Sequence, residues 1–189
     1  MNIFINIPLF SIVLCLICSV VSSVLSGRWA RKLTIALTAA LSIGSAAVLG
    51  YTVSTGQAVT FMIGHFPAPW GNEIKFGVLE PLFCMIFSLV MLLSVLGGKK
   101  HLELDLVQKK SNLYYVMTDL VMVSLLALCY TNDIFTGYVF IEICTISSCG
   151  ILMIRQIGRT TLASIRYMIF SLLGSGLFLF GIIILYDIT

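Results

Sequence analysis

The chain has 189 residues, 59% of them hydrophobic and only 10% charged, with a formal net charge of +3. Soluble domains carry about 25% charged residues, so this composition excludes a water-soluble domain and a protein held by one anchor. It predicts an all-α, polytopic membrane protein forming a single transmembrane domain in the bilayer, and the small charge gives no sign of nucleic-acid binding.

A helix needs roughly 20 apolar residues to cross a hydrocarbon core about 30 Å thick, and six segments qualify. The first spans about 4–26. No Lys or Arg precedes Arg28, whereas a cleavable signal needs a basic start, so the segment is expected to be retained. Cys15 and Cys18 form a CxxC inside it. With Cys84, Cys129, Cys144 and Cys149 they read as small buried hydrophobes, and no metal or cofactor follows from them. After Arg28, Arg31 and Lys32 comes a second segment, about 33–54. It is rich in small residues (Ala36, Ala39, Ala40, Ser42, Gly44, Ser45, Ala46, Ala47), which suits close helix packing.

Residues 55–78 read as a loop, because Pro67, Pro69, Gly71 and Gly77 oppose helix. Phe66, Trp70 and Phe76 suit a membrane boundary. Segments at about 79–98, 112–131, 134–154 and 161–187 follow. Arg28, Arg31, Lys32, Lys99, Lys100, Lys109, Lys110, Arg155 and Arg159 all fall in alternate connections. The positive-inside rule places those connections in the cytoplasm and both termini on the far side of the cell membrane.

Charged side chains at mid-membrane cost at least ~2.5–3.5 kcal/mol, so each needs a reason. Glu142 is the deepest, about 12 Å from the outer end of the fifth segment at 1.5 Å per residue. Helical spacing puts Phe135, Tyr138, Thr145 and Cys149 on its stripe. An acid there is a candidate proton-holding group. Asp119 and Arg166 lie at a common depth of about 10 Å on the cytoplasmic side; they could pair, and they are expected to tune Glu142 or relay to it through water or hydroxyls such as Ser148. Arg166 could also snorkel. Asp133 and Glu80, at segment ends, read as solvated loop residues. Enzyme motifs are absent: there is no HExxH, GxSxG or phosphate loop. His65 and His101 fall on opposite sides of the membrane.

The run DIFTGYVFIEICTISSCGIL (133–152) resembles the fifth helix of the antiporter-like proton-channel subunits of complex I, Mrp antiporters and energy-converting hydrogenases, where a pattern near D-x-F-x-x-Y-V-F-F-E-I-x-x-I-x-S occurs. PAPWG (67–71) is similar to their Pro-Trp-Gly loop, and Glu80 stands where that family often has Asp. RYMIFSLLGSGLFLFGIIILYDIT (166–189) resembles a further family helix, with Arg166 in place of the usual Lys.

The resemblance implies a multisubunit complex carrying protons or sodium, with no cofactor in this chain. It also implies that Glu142 pairs with a seventh-helix Lys. That Lys would be supplied by another membrane subunit, since the sequence ends at Thr189. The proton-path residues implied are Glu142, Asp119, Arg166, Tyr138, Thr145 and Ser148. A packing subunit with decayed channel chemistry and a small stand-alone transporter are the competing expectations.

Overall fold

The computed structural model describes residues 3–63, 72–98, 102, 111–154 and 158–188. Six helices make up most of it: α1 (Ile3–Val24), α2 (Gly27–Thr55), α3 (Leu79–Gly97), α4 (Ser111–Tyr130), α5 (Ile134–Ile154) and α6 (Gly158–Ile188). All six are long and apolar enough to cross a membrane. His65, His101, the 67–71 run, Lys99, Lys100, Lys109, Lys110 and Arg155 lie outside the described residues.

Two expectations about the elements change. First, α2 begins at Gly27, so Arg28, Arg31 and Lys32 form its opening turns. Apolar length marks where hydrocarbon begins, whereas helix continues as long as its backbone can pair; Lys32 covers the ring of Trp29 one turn back at 4.7 Å. Second, the expected loop at 55–78 holds an antiparallel pair, β1 (Val59–Ile63) and β2 (Asn72–Phe76), with Val59 opposite Phe76 and Ile63 opposite Asn72. Gly56, at φ 64°, ends α2 with its N–H on the Thr52 carbonyl, a backbone turn that favours glycine. The helix therefore ends at Gly56, ahead of the prolines, and the strands flank the stretch that holds them.

The hairpin is anchored into the helices. Ile74 and Phe76 are buried, and the Phe76 ring meets Tyr130 edge-on at 6.3 Å. Asn132 N–H donates to the Glu73 carbonyl at 2.9 Å, and its amide donates to Glu73 Oε2 at 2.8 Å. β2 is thus tied to the α4–α5 corner.

The core joins α1, α2, α3, α4 and β2: Cys15, Leu37, Leu41, Val48, Ile74, Phe76, Cys84, Met122, Val123, Leu126 and Tyr130 pack together. The packing face of α2 is the stripe Thr34, Leu37, Thr38, Leu41, Ser45, Val48 and Thr52, spaced three and four residues apart as one helix face requires. The small-residue expectation fails in part, because Ala36, Ala40, Ala46 and Ala47 point outward. Close approach occurs at Gly27, where a Cβ would stand 2.5 Å from Ser111 Oγ and 2.8 Å from Ser111 Cβ. The α5 helix packs on α4, and α6 packs on α5. The only buried residues of α6 are Ser164 and Ile182.

Asp133 and Glu80 are not solvated loop residues. Glu80 Oε2 accepts the Gly77 N–H at 2.6 Å, closing the entry to α3. Asp133 Oδ2 accepts the Thr136 N–H at 2.8 Å and the Thr136 hydroxyl at 2.5 Å, capping α5. Its Oδ1 accepts the Tyr186 hydroxyl at 3.1 Å, holding the last turn of α6. Partial burial pushes the Asp133 carboxyl up, but the bonds from Thr136 and Tyr186 outweigh it and hold the group below the usual carboxylate range.

An N-cap replaced by Ala costs about 1 kcal/mol, so Asp133→Ala should lower the unfolding free energy in detergent micelles by about that amount at neutral pH. A depressed folded pKa means that this contribution is complete above the unfolded value of about 3.9 and disappears as pH falls through the folded one. The gap between Asp133→Ala and the native chain should therefore close below about pH 4, as read by unfolding at stepped pH.

Candidate functional site

The sequence singled out three charges inside the helices, and the structure separates them. On α5, Glu142 is half-buried, and its Oε1 is buried with no hydrogen-bond partner among the described residues. Along its stripe, exposure falls from Phe135, which is exposed, through half-buried Tyr138 and Thr145 to buried Cys149. The Tyr138 ring lies 6.3 Å from those of Phe135 and Phe178, so it braces α5 against α6. Thr145 donates its hydroxyl to the Glu142 carbonyl at 2.9 Å, leaving its oxygen free to accept only. Ser148 is half-buried three residues further on.

Asp119 is 0% exposed on α4. Its Oδ2 accepts the Ser22 hydroxyl from α1 at 3.0 Å and the Thr34 hydroxyl from α2 at 3.1 Å. Its Oδ1 is buried without a partner among the described residues. Arg166 is exposed on α6, and α6 packs on α5. The expected Asp119–Arg166 pair does not form.

The reason is rotational. Met117 faces α5, lying 2.9 Å from where a Cβ on Gly150 would stand. Asp119 is two residues on, or about 200° around the helix at 3.6 residues per turn. A common depth brought Asp119 and Arg166 together in the sequence, but depth carries no information about direction.

Ser22 and Thr34 went unremarked in the sequence. Most buried hydroxyls here bond back to their own helix: Thr38 to the Thr34 carbonyl, Ser45 to Leu41, Ser88 to Met85, Thr118 to Tyr114, Ser124 to Val121 and Ser164 to Thr160. Ser22 and Thr34 instead reach across to the acid. Thr34 was findable in principle: it lies seven residues into α2, as Asp119 lies eight into α4, and both helices start at the end of the bundle where Gly27 meets Ser111.

All six cysteines are free: Cys15, Cys84 and Cys149 are buried, and Cys18, Cys129 and Cys144 are half-buried. Among the described residues no His, Cys, Asp and Glu group could hold a metal.

Residues 131–189, which contain α5, α6 and Glu142, match the family described as NADH:quinone oxidoreductase/Mrp antiporter, TM. The NADH-quinone oxidoreductase subunit N of Desulforudis audaxviator is 26% identical over 168 residues, covering 87% of this chain and 32% of that one. A Na(+)/H(+) antiporter subunit of Bacillus subtilis is 25% identical over 154 residues, covering 80% and 31%. The chain is thus similar to antiporter-like membrane subunits. The antiporter-like fold is present along its length: it superposes on the Mrp complex of a Dietzia species with a TM-score of 0.85 at 23% identity, covering 100% of this chain and 35% of that one. An archaeal membrane-bound sulfane sulfur reductase gives a TM-score of 0.81 at 22% identity, covering 97% and 36%. The chain spans about a third of the length of the relatives it matches.

The two acids should answer differently to substitution. Glu142 Oε1 receives no hydrogen bond among the described residues, so Glu142→Gln should stay within about 1 kcal/mol of the native unfolding free energy. Asp119→Ala leaves two buried hydroxyls without their acceptor and should cost about 1–3 kcal/mol. Unfolding of reconstituted protein by denaturant checks both.

Proposed function

We propose that the chain is a membrane subunit of an ion-translocating complex of the complex I, Mrp or related kind, and that Glu142 is a proton-holding carboxylate in its path. The observation that carries this reading is the buried Oε1 of Glu142 in the middle of α5, without a hydrogen-bond partner among the described residues. A charge left alone in hydrocarbon is costly, and either a proton or a basic side chain brought close offsets that cost. The family match over 131–189 includes this residue, and the family resemblance of its flanking motif implies the same role.

The cation in this reading belongs to a seventh-helix Lys on another polypeptide, approaching the side of α5 that neither α4 nor α6 covers. The driving force comes from other subunits, and the cargo is protons, or sodium exchanged for them. Tyr138 and Ser148 are the hydroxyls available to order water along α5, and Thr145 can accept from it. Asp119 is on the far side of α4 and drops out of the relay. Arg166 faces outward, and its stem can carry its charge towards a headgroup.

In this reading Glu142→Gln leaves the complex at normal abundance and lowers proton or sodium pumping in membrane vesicles at least tenfold. Pumping at the native rate, with normal abundance on an immunoblot, removes Glu142 from the path.

A further inference from the structure

The proposed path leaves six free thiols unused. Cys15 and Cys18 share α1, and Cys144 and Cys149 share α5. Cys84 and Cys129 belong to different helices, α3 and α4, and their side chains are hydrogen-bonded to each other. Cys84 is 0% exposed within the main core, and Cys129 packs against that core half-buried. A single buried cysteine fills space as a small hydrophobe. Two that meet across a helix interface can do one thing more, which is to join.

The helix ends around this pair are already fixed. Cys84 lies one turn beyond Glu80 in α3, and Glu80 Oε2 accepts the Gly77 N–H at 2.6 Å. Cys129 precedes Tyr130, the last residue of α4, whose ring meets Phe76 at 6.3 Å. The end of β2 therefore sits between the start of α3 and the end of α4, and the two sulfurs meet just inside that clamp. The charge bias expects this end of the bundle on the far side from the cytoplasm, where disulfides form and persist.

We propose that Cys84 and Cys129 are a redox modification site, oxidised by a hydroperoxide to a disulfide that staples α3 to α4. Cys129 is the half-buried member, and so the one that an oxidant reaches. Its sulfur attacks the terminal peroxide oxygen. The O–O bond breaks, an alcohol (or water, from hydrogen peroxide) departs with the thiol proton, and Cys129 becomes a sulfenic acid. The Cys84 sulfur then attacks the Cys129 sulfur. The S–S bond forms, the S–O bond breaks, and the hydroxyl leaves as water with the Cys84 proton. The two thiols lose two electrons and the peroxide gains them.

The test uses the full chain, reduced and reconstituted in lipid nanodiscs, with cumene hydroperoxide as the oxidant. The treated chain is unfolded in detergent with N-ethylmaleimide present, and its peptides are mapped by mass spectrometry. The reduced chain takes six labels. The oxidised chain should take two fewer and yield one cross-linked peptide joining Cys84 to Cys129, and dithiothreitol should restore the full count. The single variants should differ. In Cys84→Ser the reaction should stop at the Cys129 sulfenic acid, which dimedone traps; in Cys129→Ser the buried Cys84 should stay reduced. Mapping of the native chain decides the proposal if either variant does not fold. A full label count after hydroperoxide, a disulfide between two other cysteines in its place, or equal dimedone trapping at Cys84 in Cys129→Ser overturns it. Glu142→Gln should give the same cross-linked peptide, because the pair does not depend on Glu142 carrying protons.

Discussion

A polar group inside a bilayer has no water to fall back on, so every donor must find an acceptor within the protein. Serine and threonine solve this locally in the present chain, by donating to a carbonyl one turn back in the same helix. That habit lets α2 and α4 bury hydroxyl-rich faces against each other with most hydroxyls satisfied locally, the bond from Thr34 to Asp119 being an exception. Carboxylates cannot use that route, because an ionised acid only accepts. Each must be answered by a donor, either close in sequence or from another element. Asp133 is answered by Thr136 and Tyr186, Glu80 by the backbone of Gly77, and Asp119 by α1 and α2. Glu142 has no hydrogen-bond partner at Oε1 among the described residues.

The six helices were legible because hydrocarbon thickness imposes a length that composition reveals. The start of α2 and the hairpin were not. Hydropathy is silent about a helix that continues into charged turns, as α2 does through Arg28 and Lys32, and strands of five residues beside prolines leave little periodicity to read. The alternation of β2 is visible only once Ile74 and Phe76 are seen to enter the core beside Tyr130.

For the site, Glu142 was legible because a charge in an apolar run stands out, and because its flanking residues formed a recognisable motif. The partners of Asp119 were not. Helical depth follows from counting residues, but the direction a side chain takes depends on which neighbour lies on which side. Met117 and Asp119 are two positions apart and serve opposite interfaces. Hydroxyl count was no guide either, since most of the candidates were already committed to their own backbones.

The long last helix, α6, has 31 residues, which at 1.5 Å each is about 46 Å against a core about 30 Å thick. It must therefore lean in the membrane or project from it. Its final turn is fastened to the start of α5 through Tyr186 and Asp133, while most of its surface is open along the way. The slope of α6 is therefore set against α5 at that end by the Tyr186–Asp133 bond, and further along by the Phe178 ring on Tyr138.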